Sequence, residues 1–151
     1  MSQQPNLLAQ VRQYLMTNGE DFEWITMGPD KQRIGLAYLP YIGEELPCTF
    51  MFTELEEPRT LVFDAHFALR IAPEDLQEIG LLLTTLNGNI PEGHLLLDVD
   101  GGFVYYRLKY NPSMDDATSE ELAAQIAHME DLGVKMSLTY ARIIAEEFQT
   151  I

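Results

Sequence analysis

The segment from Leu81 to Tyr110 constrains the fold more than any other part of the chain. It begins as the end of an apolar helix, stops at Asn87-Gly88-Asn89, and continues as two apolar runs joined by Asp100-Gly101-Gly102. Two such runs around an Asp-Gly turn are typical of a β-hairpin. A helix that leads directly into a hairpin predicts an α+β fold.

The remaining pattern predicts one helix and four strands before this segment and one helix after it. The strand-like runs cluster together, which favours a twisted antiparallel sheet over an alternating Rossmann-type arrangement. The expected elements are a helix over Asn6–Asn18, strands over Phe22–Met27, Arg33–Tyr41, Cys48–Leu55 and Thr60–Phe67, a helix opened by Pro73, a hairpin of His94–Val99 and Phe103–Tyr110, and a final helix after Thr118. Residues 1–151 are expected to form a single domain, with the order α-β-β-β-β-α-β-β-α.

Three short signals concern the ends and the continuity of the helices. Gly19 follows the first helix, where a left-handed C-terminal cap is expected. Thr118-Ser119-Glu120-Glu121 has the pattern of a capping box at the start of the last helix. Gly133 lies near the middle of that helix, and the sequence leaves open whether the helix bends or breaks there.

Composition limits the classes of partner. The chain has 24 acidic and 9 basic residues, a net charge of −15. This charge repels phosphate backbones and anionic lipid, so neither nucleic-acid nor membrane-surface binding is expected. The single cysteine, Cys48, excludes an intramolecular disulfide and a CxxC metal site. A secretory pattern and an apolar run of membrane-spanning length are both missing from the sequence, which predicts a cytoplasmic location.

The alternation of side chains along the strands predicts two apolar sheet faces. If Phe50, Phe52 and Phe63 face the helices, Met51 and Val62 lie on the opposite face. In the hairpin, Leu96 and Tyr105 alternate in the same way with the residues beside them. A solvated sheet face normally carries polar residues. The second face is therefore expected to be covered by a helix, a second subunit or a bound peptide.

One motif resembles an enzyme site. The run that ends in Asp98-Val99-Asp100-Gly101 resembles the nucleophile loop of haloacid-dehalogenase-type phosphatases, in which the first Asp attacks phosphorus and the second handles a proton. Those enzymes have Thr after the glycine, whereas this chain has Gly102, and the next run is a strand. An Asp-Gly hairpin turn explains the same residues, because both tolerate a positive φ.

No other pattern indicates a catalytic, cofactor or metal site. His66, His94 and His128 lack the spacing of common metal motifs, and Cys48 has no local basic residue that would activate a thiolate. We therefore expect no catalytic residue, no metal and no cofactor.

The C-terminal half resembles the YbjN domain, a proposed bacterial sensory transduction regulator. The resemblance rests on a helix that ends in Leu86-Asn87-Gly88-Asn89, the strand Leu95–Asp98, the turn Asp100-Gly101-Gly102, the strand Val104–Tyr110, and Thr118-Ser119-Glu120-Glu121-Leu122 before a long helix. The front half matches only in the order of its elements. YbjN domains are similar to type III secretion chaperones, which are small, acidic, commonly dimeric proteins that bind extended client segments. The resemblance thus implies a chaperone-like α+β fold without catalytic residues.

Three functions remain open from the sequence. The first is a non-enzymatic, chaperone-like or regulatory adaptor, expected to be a homodimer, that binds a partner protein through the apolar sheet face. Met51, Leu96 and Tyr105 are its candidate binding residues. The second is a magnesium-dependent phosphatase that uses Asp98 and Asp100. The third is a small-molecule sensor with a pocket between the sheet and the last helix.

Overall fold

The computed structural model describes residues 7–27, 33–38, 48–56, 59–112 and 119–148. Its elements are α1 (Leu7–Thr17), β1 (Glu23–Met27), β2 (Arg33–Tyr38), β3 (Cys48–Glu56), β4 (Arg59–Arg70), a 3₁₀ turn (Pro73–Asp75), α2 (Leu76–Asn87), β5 (His94–Asp98), β6 (Phe103–Tyr110), α3 (Ser119–Met136), a π-helical turn (Ser137–Ala141) and α4 (Arg142–Glu147). The α+β class and the predicted order of helices and strands are confirmed.

The six strands form one antiparallel sheet in the order β1-β2-β3-β4-β6-β5. Neighbours in the sequence pair along the first four strands, and the second hairpin then joins through its later strand, so that β4 pairs with β6. The edges of the sheet are therefore β1 and β5. The long central strand β4 extends to Arg70, three residues beyond the predicted end at Phe67.

The helices pack on the sheet face that carries Phe50, Phe52 and Phe63. These three rings are fully buried, and Phe63 lies in contact distance of both others, with ring centroids 4.9 and 5.0 Å apart. Helix α1 packs over β2 and β3, α3 over β4 and β6, and α2 over β5. The main core thus lies between the sheet and a single layer of helices, and none of the described helices covers the opposite face.

The last helix is not broken at Gly133. Helix α3 continues through Gly133 because the glycine faces the core: an added Cβ would lie 2.7 Å from Cζ of Phe63 and 2.9 Å from Cζ of Phe50. The irregularity lies one turn later, in the π-helical turn Ser137–Ala141. There Ser137 Oγ donates to the Gly133 carbonyl at 2.8 Å and lies 3.2 Å from Cys48 Sγ.

Gly19 has the predicted left-handed backbone, with a φ of 71°, and its N–H donates to the carbonyl of Met16. The predicted capping box cannot be compared, because Thr118 lies outside the described residues. The same holds for the predicted end of β2 at Tyr41. None of the helices in the described ranges is both long and apolar enough to cross a membrane.

Candidate functional site on the outer sheet face

Met51, Leu96 and Tyr105 all lie on the sheet face opposite the helices. Each is half-buried, and each is flanked along its strand by core residues such as Phe50, Leu95 and Tyr106. The predicted alternation is therefore correct. The role of the three residues in binding stays a prediction.

The strand register gathers these residues with three polar ones. Tyr105 on β6 lies opposite His66 on β4 and Leu96 on β5. One row away, Asp64 on β4 lies between Met51 on β3 and Arg107 on β6. We call this group the outer-face cluster; it consists of Met51, Asp64, His66, Leu96, Tyr105 and Arg107.

Asp64 and Arg107 form the polar centre of the cluster. Arg107 Nε donates to Asp64 Oδ1 at 2.7 Å and Nη2 donates to Oδ2 at 3.0 Å, so the hydrogen bonding is bidentate. The Asp64 side chain is only 4% exposed, whereas that of Arg107 is 35% exposed. The hydrogen bond to Asp64 is the main reason why the pKa of Arg107 is raised. A buried carboxylate is thus neutralised on the sheet face that the helices do not cover.

His66 and Tyr105 form an aromatic pair beside this ion pair. Their rings are parallel within 8°, with centroids 4.9 Å apart, and the Arg107 guanidinium carbon lies 5.2 Å from the Tyr105 ring centroid. Burial is the largest cause that lowers the pKa of His66, and the nearby Asp64 carboxylate partly opposes it. At neutral pH the cluster therefore presents a neutral imidazole, an aromatic ring and a paired guanidinium.

This lowered pKa predicts a pH dependence of stability. An unfolded histidine takes up its proton near pH 6.5, before the folded His66 does, so protonation favours the unfolded chain. The stability that His66 contributes above about pH 6.5 is lost as the pH falls through its folded-state pKa. Urea unfolding at a series of pH values should show a smaller loss of stability on acidification in His66→Gln than in the wild type. Equal slopes would contradict this assignment.

A second titratable cluster lies on the helix side and was not predicted. Tyr38 Oη donates to Glu130 Oε2 at 2.6 Å, which ties β2 to α3, and Tyr14 on α1 also hydrogen-bonds to Glu130. Burial raises the pKa of Glu130 and, together with the adjacent carboxylate, that of Tyr38. These residues are distant in the sequence, so only their packing reveals the contact. Because the contact joins three elements, we interpret it as structural.

The Asp98-Val99-Asp100 motif forms the turn between β5 and β6. The Asp98 carboxylate accepts from the N–H groups of Asp100 and Gly101, at 3.1 and 3.3 Å, and Gly102 has a φ of 75°. The next residue, Phe103, begins β6. These contacts favour the hairpin-turn interpretation over a phosphatase nucleophile loop, because the Asp98 side chain already stabilises the turn.

The other candidate residues are dispersed. His66 belongs to the outer-face cluster, His94 is exposed on β5, and His128 contacts Glu92 at 2.8 Å. Across the described ranges, no three His, Cys, Asp or Glu side chains converge as metal ligands would. Cys48 is buried, and burial raises the pKa of its thiol to about 11, so the unreactive thiol predicted from the sequence fits its surroundings.

The space between the sheet and the last helix is filled where Gly133 meets Phe50 and Phe63. An open hollow lies beside β1, lined by acidic and aromatic residues that include Glu20, Phe22 and Tyr38. The small-molecule sensor with a pocket between the sheet and the last helix stays a prediction.

Comparisons with known proteins find a similar solved structure. No family model and no curated protein matches the chain. Among solved structures, the chain is similar to the crystal structure of YbjN from E. coli, which is described as a proposed transcription regulator, with a TM-score of 0.60 and 17% sequence identity. The match covers 97% of this chain and 96% of that chain. It therefore includes the front half, where the sequence showed only a common order of elements, and the chain has the fold of YbjN that the sequence resemblance predicted.

Proposed function

We propose that the chain is a non-enzymatic, regulatory or chaperone-like domain that binds another polypeptide through the outer sheet face. The observation that carries this proposal is the outer-face cluster. It holds apolar and aromatic side chains around the ion pair of Asp64 and Arg107. Surfaces of this kind, with aromatic and Arg residues around an apolar centre, are enriched in protein interfaces. The description of YbjN as a proposed regulator is compatible with this role.

The β5 edge favours docking on the sheet face over addition of a strand. The Asn87 side chain occupies the outward backbone groups of Leu95: its Nδ2 donates to the Leu95 carbonyl at 3.0 Å, and the Leu95 N–H donates to its Oδ1 at 2.7 Å. An incoming strand would have to displace both bonds. We therefore infer that the partner contacts the side chains of Leu96 and Tyr105 rather than the backbone of β5.

The bound polypeptide is either a client protein or a second copy of this chain. The homodimer expected from the sequence corresponds to a second copy. Mass measurement by light scattering of the purified protein separates the two. A dimer that depends on the outer face identifies a second copy, and a monomer leaves this face open for a client.

Leu96→Lys is expected to abolish the interaction, because it places a charge in the apolar centre of the face. Capture of the tagged protein from its native cells under gentle crosslinking, combined with light scattering, measures partner binding and assembly. Leu81→Lys is the matched control, since Leu81 is an equally apolar residue, 67% exposed, on α2. The proposal is wrong if Leu96→Lys and the control retain the same partners and the same mass.

A further inference from the structure

We propose that the partner of the outer sheet face presents carboxylates around an apolar segment, that is, an acidic polypeptide. This inference rests on the proposed function, and it specifies the chemistry of the partner. It follows from the distribution of charge across the fold, which the net charge of the chain conceals.

Basic residues are concentrated on this face. Of the nine Lys and Arg residues in the chain, three occupy outward positions on β4 and β6: Arg70, Arg107 and Lys109. The acidic residues at outward positions of β3, β4, β5 and β6 are Asp64 and Asp98. These five side chains have a formal charge of +1, so the rest of the chain carries −16. Over these four strands the outer face is thus a locally cationic surface on an acidic protein.

The side chains of β6 show how charge and apolar area combine. Its outward positions carry Phe103, Tyr105, Arg107 and Lys109 in succession. The first half of the strand is therefore aromatic on this face, and the second half is basic. Beside the basic end is a shallow hollow, lined by Glu92, His94, Leu96, Arg107 and Lys109. Leu96 supplies an apolar wall to this hollow and the two cations border it, while the Glu92 carboxylate that also lines it lies 2.8 Å from Nε2 of His128. An acidic residue next to a Leu or aromatic residue fits both features.

These cations can bind a partner. Arg70 and Lys109 are exposed, and in the described part of the chain neither has an ion-pair partner. Asp64 engages two of the five N–H groups of Arg107, and about a third of that side chain remains exposed. A carboxylate at this face would therefore find donors that are not already paired.

The overall charge of −15 does not prevent such a contact at physiological salt. The Debye length is then about 8 Å, so charges on the far side of the helical layer are largely screened. Groups in direct contact with the face experience mainly the nearby cations. The negative net charge of the whole protein would by itself attract a basic partner. Binding of an acidic partner at this salt concentration would therefore reflect the nearby cations of the outer face.

Two synthetic peptides of about a dozen residues test the inference. They share the same Leu positions, and one carries Glu where the other carries Lys. Each is titrated into isotope-labelled protein in about 0.15 M salt, a condition that screens distant charges, and the amide shifts locate its binding. We expect the Glu peptide to shift the resonances of Leu96, Tyr105 and Lys109, while the Lys peptide leaves this face unchanged. The double variant Arg70→Glu, Lys109→Glu should weaken Glu-peptide binding about tenfold, since two exposed pairs are lost.

The matched control is Arg12→Glu, Lys135→Glu, which makes the same change in net charge on the helical side, where both residues are exposed. It should leave Glu-peptide binding unchanged. If only the Lys peptide binds the outer face, the acidic partner is excluded and the proposed function stands. If neither peptide binds there, while Leu96→Lys also retains all partners, both are wrong. If Arg70→Glu, Lys109→Glu instead changes the mass of the free protein, the occupant is a second copy, which overturns the inference.

Discussion

Gly133→Val is expected to lower the free energy of unfolding by about 2–3 kcal/mol, because it adds atoms to a filled core. The α3 backbone approaches the Phe50 and Phe63 rings so closely that even a Cβ would lie 2.7–2.9 Å from them. Both rings are completely buried and in mutual contact, so neither can move without displacing its neighbours. Urea unfolding measures the change.

Gly80→Val is the matched control for this substitution. Gly80 lies inside α2, and a Cβ added there meets nothing within 4 Å. Since Gly and Val differ only modestly in helix propensity, we expect this variant to stay within about 0.5 kcal/mol of the wild type. Similar stability of the two variants would show that α3 does not contact the sheet as closely as described.

Asn87→Ala is expected to cost about 2–3 kcal/mol, because it removes both hydrogen bonds from the backbone of Leu95. Leu95 is 1% exposed, so water cannot readily form hydrogen bonds to its backbone N–H and carbonyl in place of the Asn87 side chain. The substitution also frees the outward edge of β5, and exposed edges pair with other chains. We therefore expect lower stability in urea and a mass in light scattering that rises with protein concentration.

Asn89→Ala provides the comparison, because Asn89 is an exposed residue two positions later, in the turn that follows α2. Its backbone N–H donates to the Leu86 carbonyl, and alanine retains that bond. A change of no more than about 0.5 kcal/mol is expected there. If Asn87→Ala is equally mild and remains monodisperse, the Asn87 amide does not protect the edge.

The order and type of the elements were predictable because they depend on local patterns. The apolar period of α1, the Asp-Gly turn before Phe103 and the glycine at position 19 each act within a few residues. Alternation along the strands likewise placed Met51, Leu96 and Tyr105 on one face. Local patterns do not specify how far a strand extends once it has partners, which is why β4 continues past Phe67 to Arg70.

The pairing of β4 with β6 was not predictable, and the candidate site depends on it. That pairing places Asp64 beside Arg107 and His66 beside Tyr105, although about 40 residues separate the members of each pair. The sequence shows scattered charges on an acidic chain, and the fold places three of the nine basic residues on two paired strands of one sheet face. Likewise, the sequence alone left open that Gly133 breaks the last helix, whereas the packing shows that it lets the helix approach Phe50 and Phe63.

The sequence by itself determined the α+β class, the order of the elements and the alternation of the strand faces, because turns, caps and periodicity are short-range properties. Only the tertiary structure decided the strand order, the course of the last helix and the composition of the outer-face cluster. Each of these depends on which distant residues meet, and the contacts form only when the apolar face of the sheet is buried under the helices.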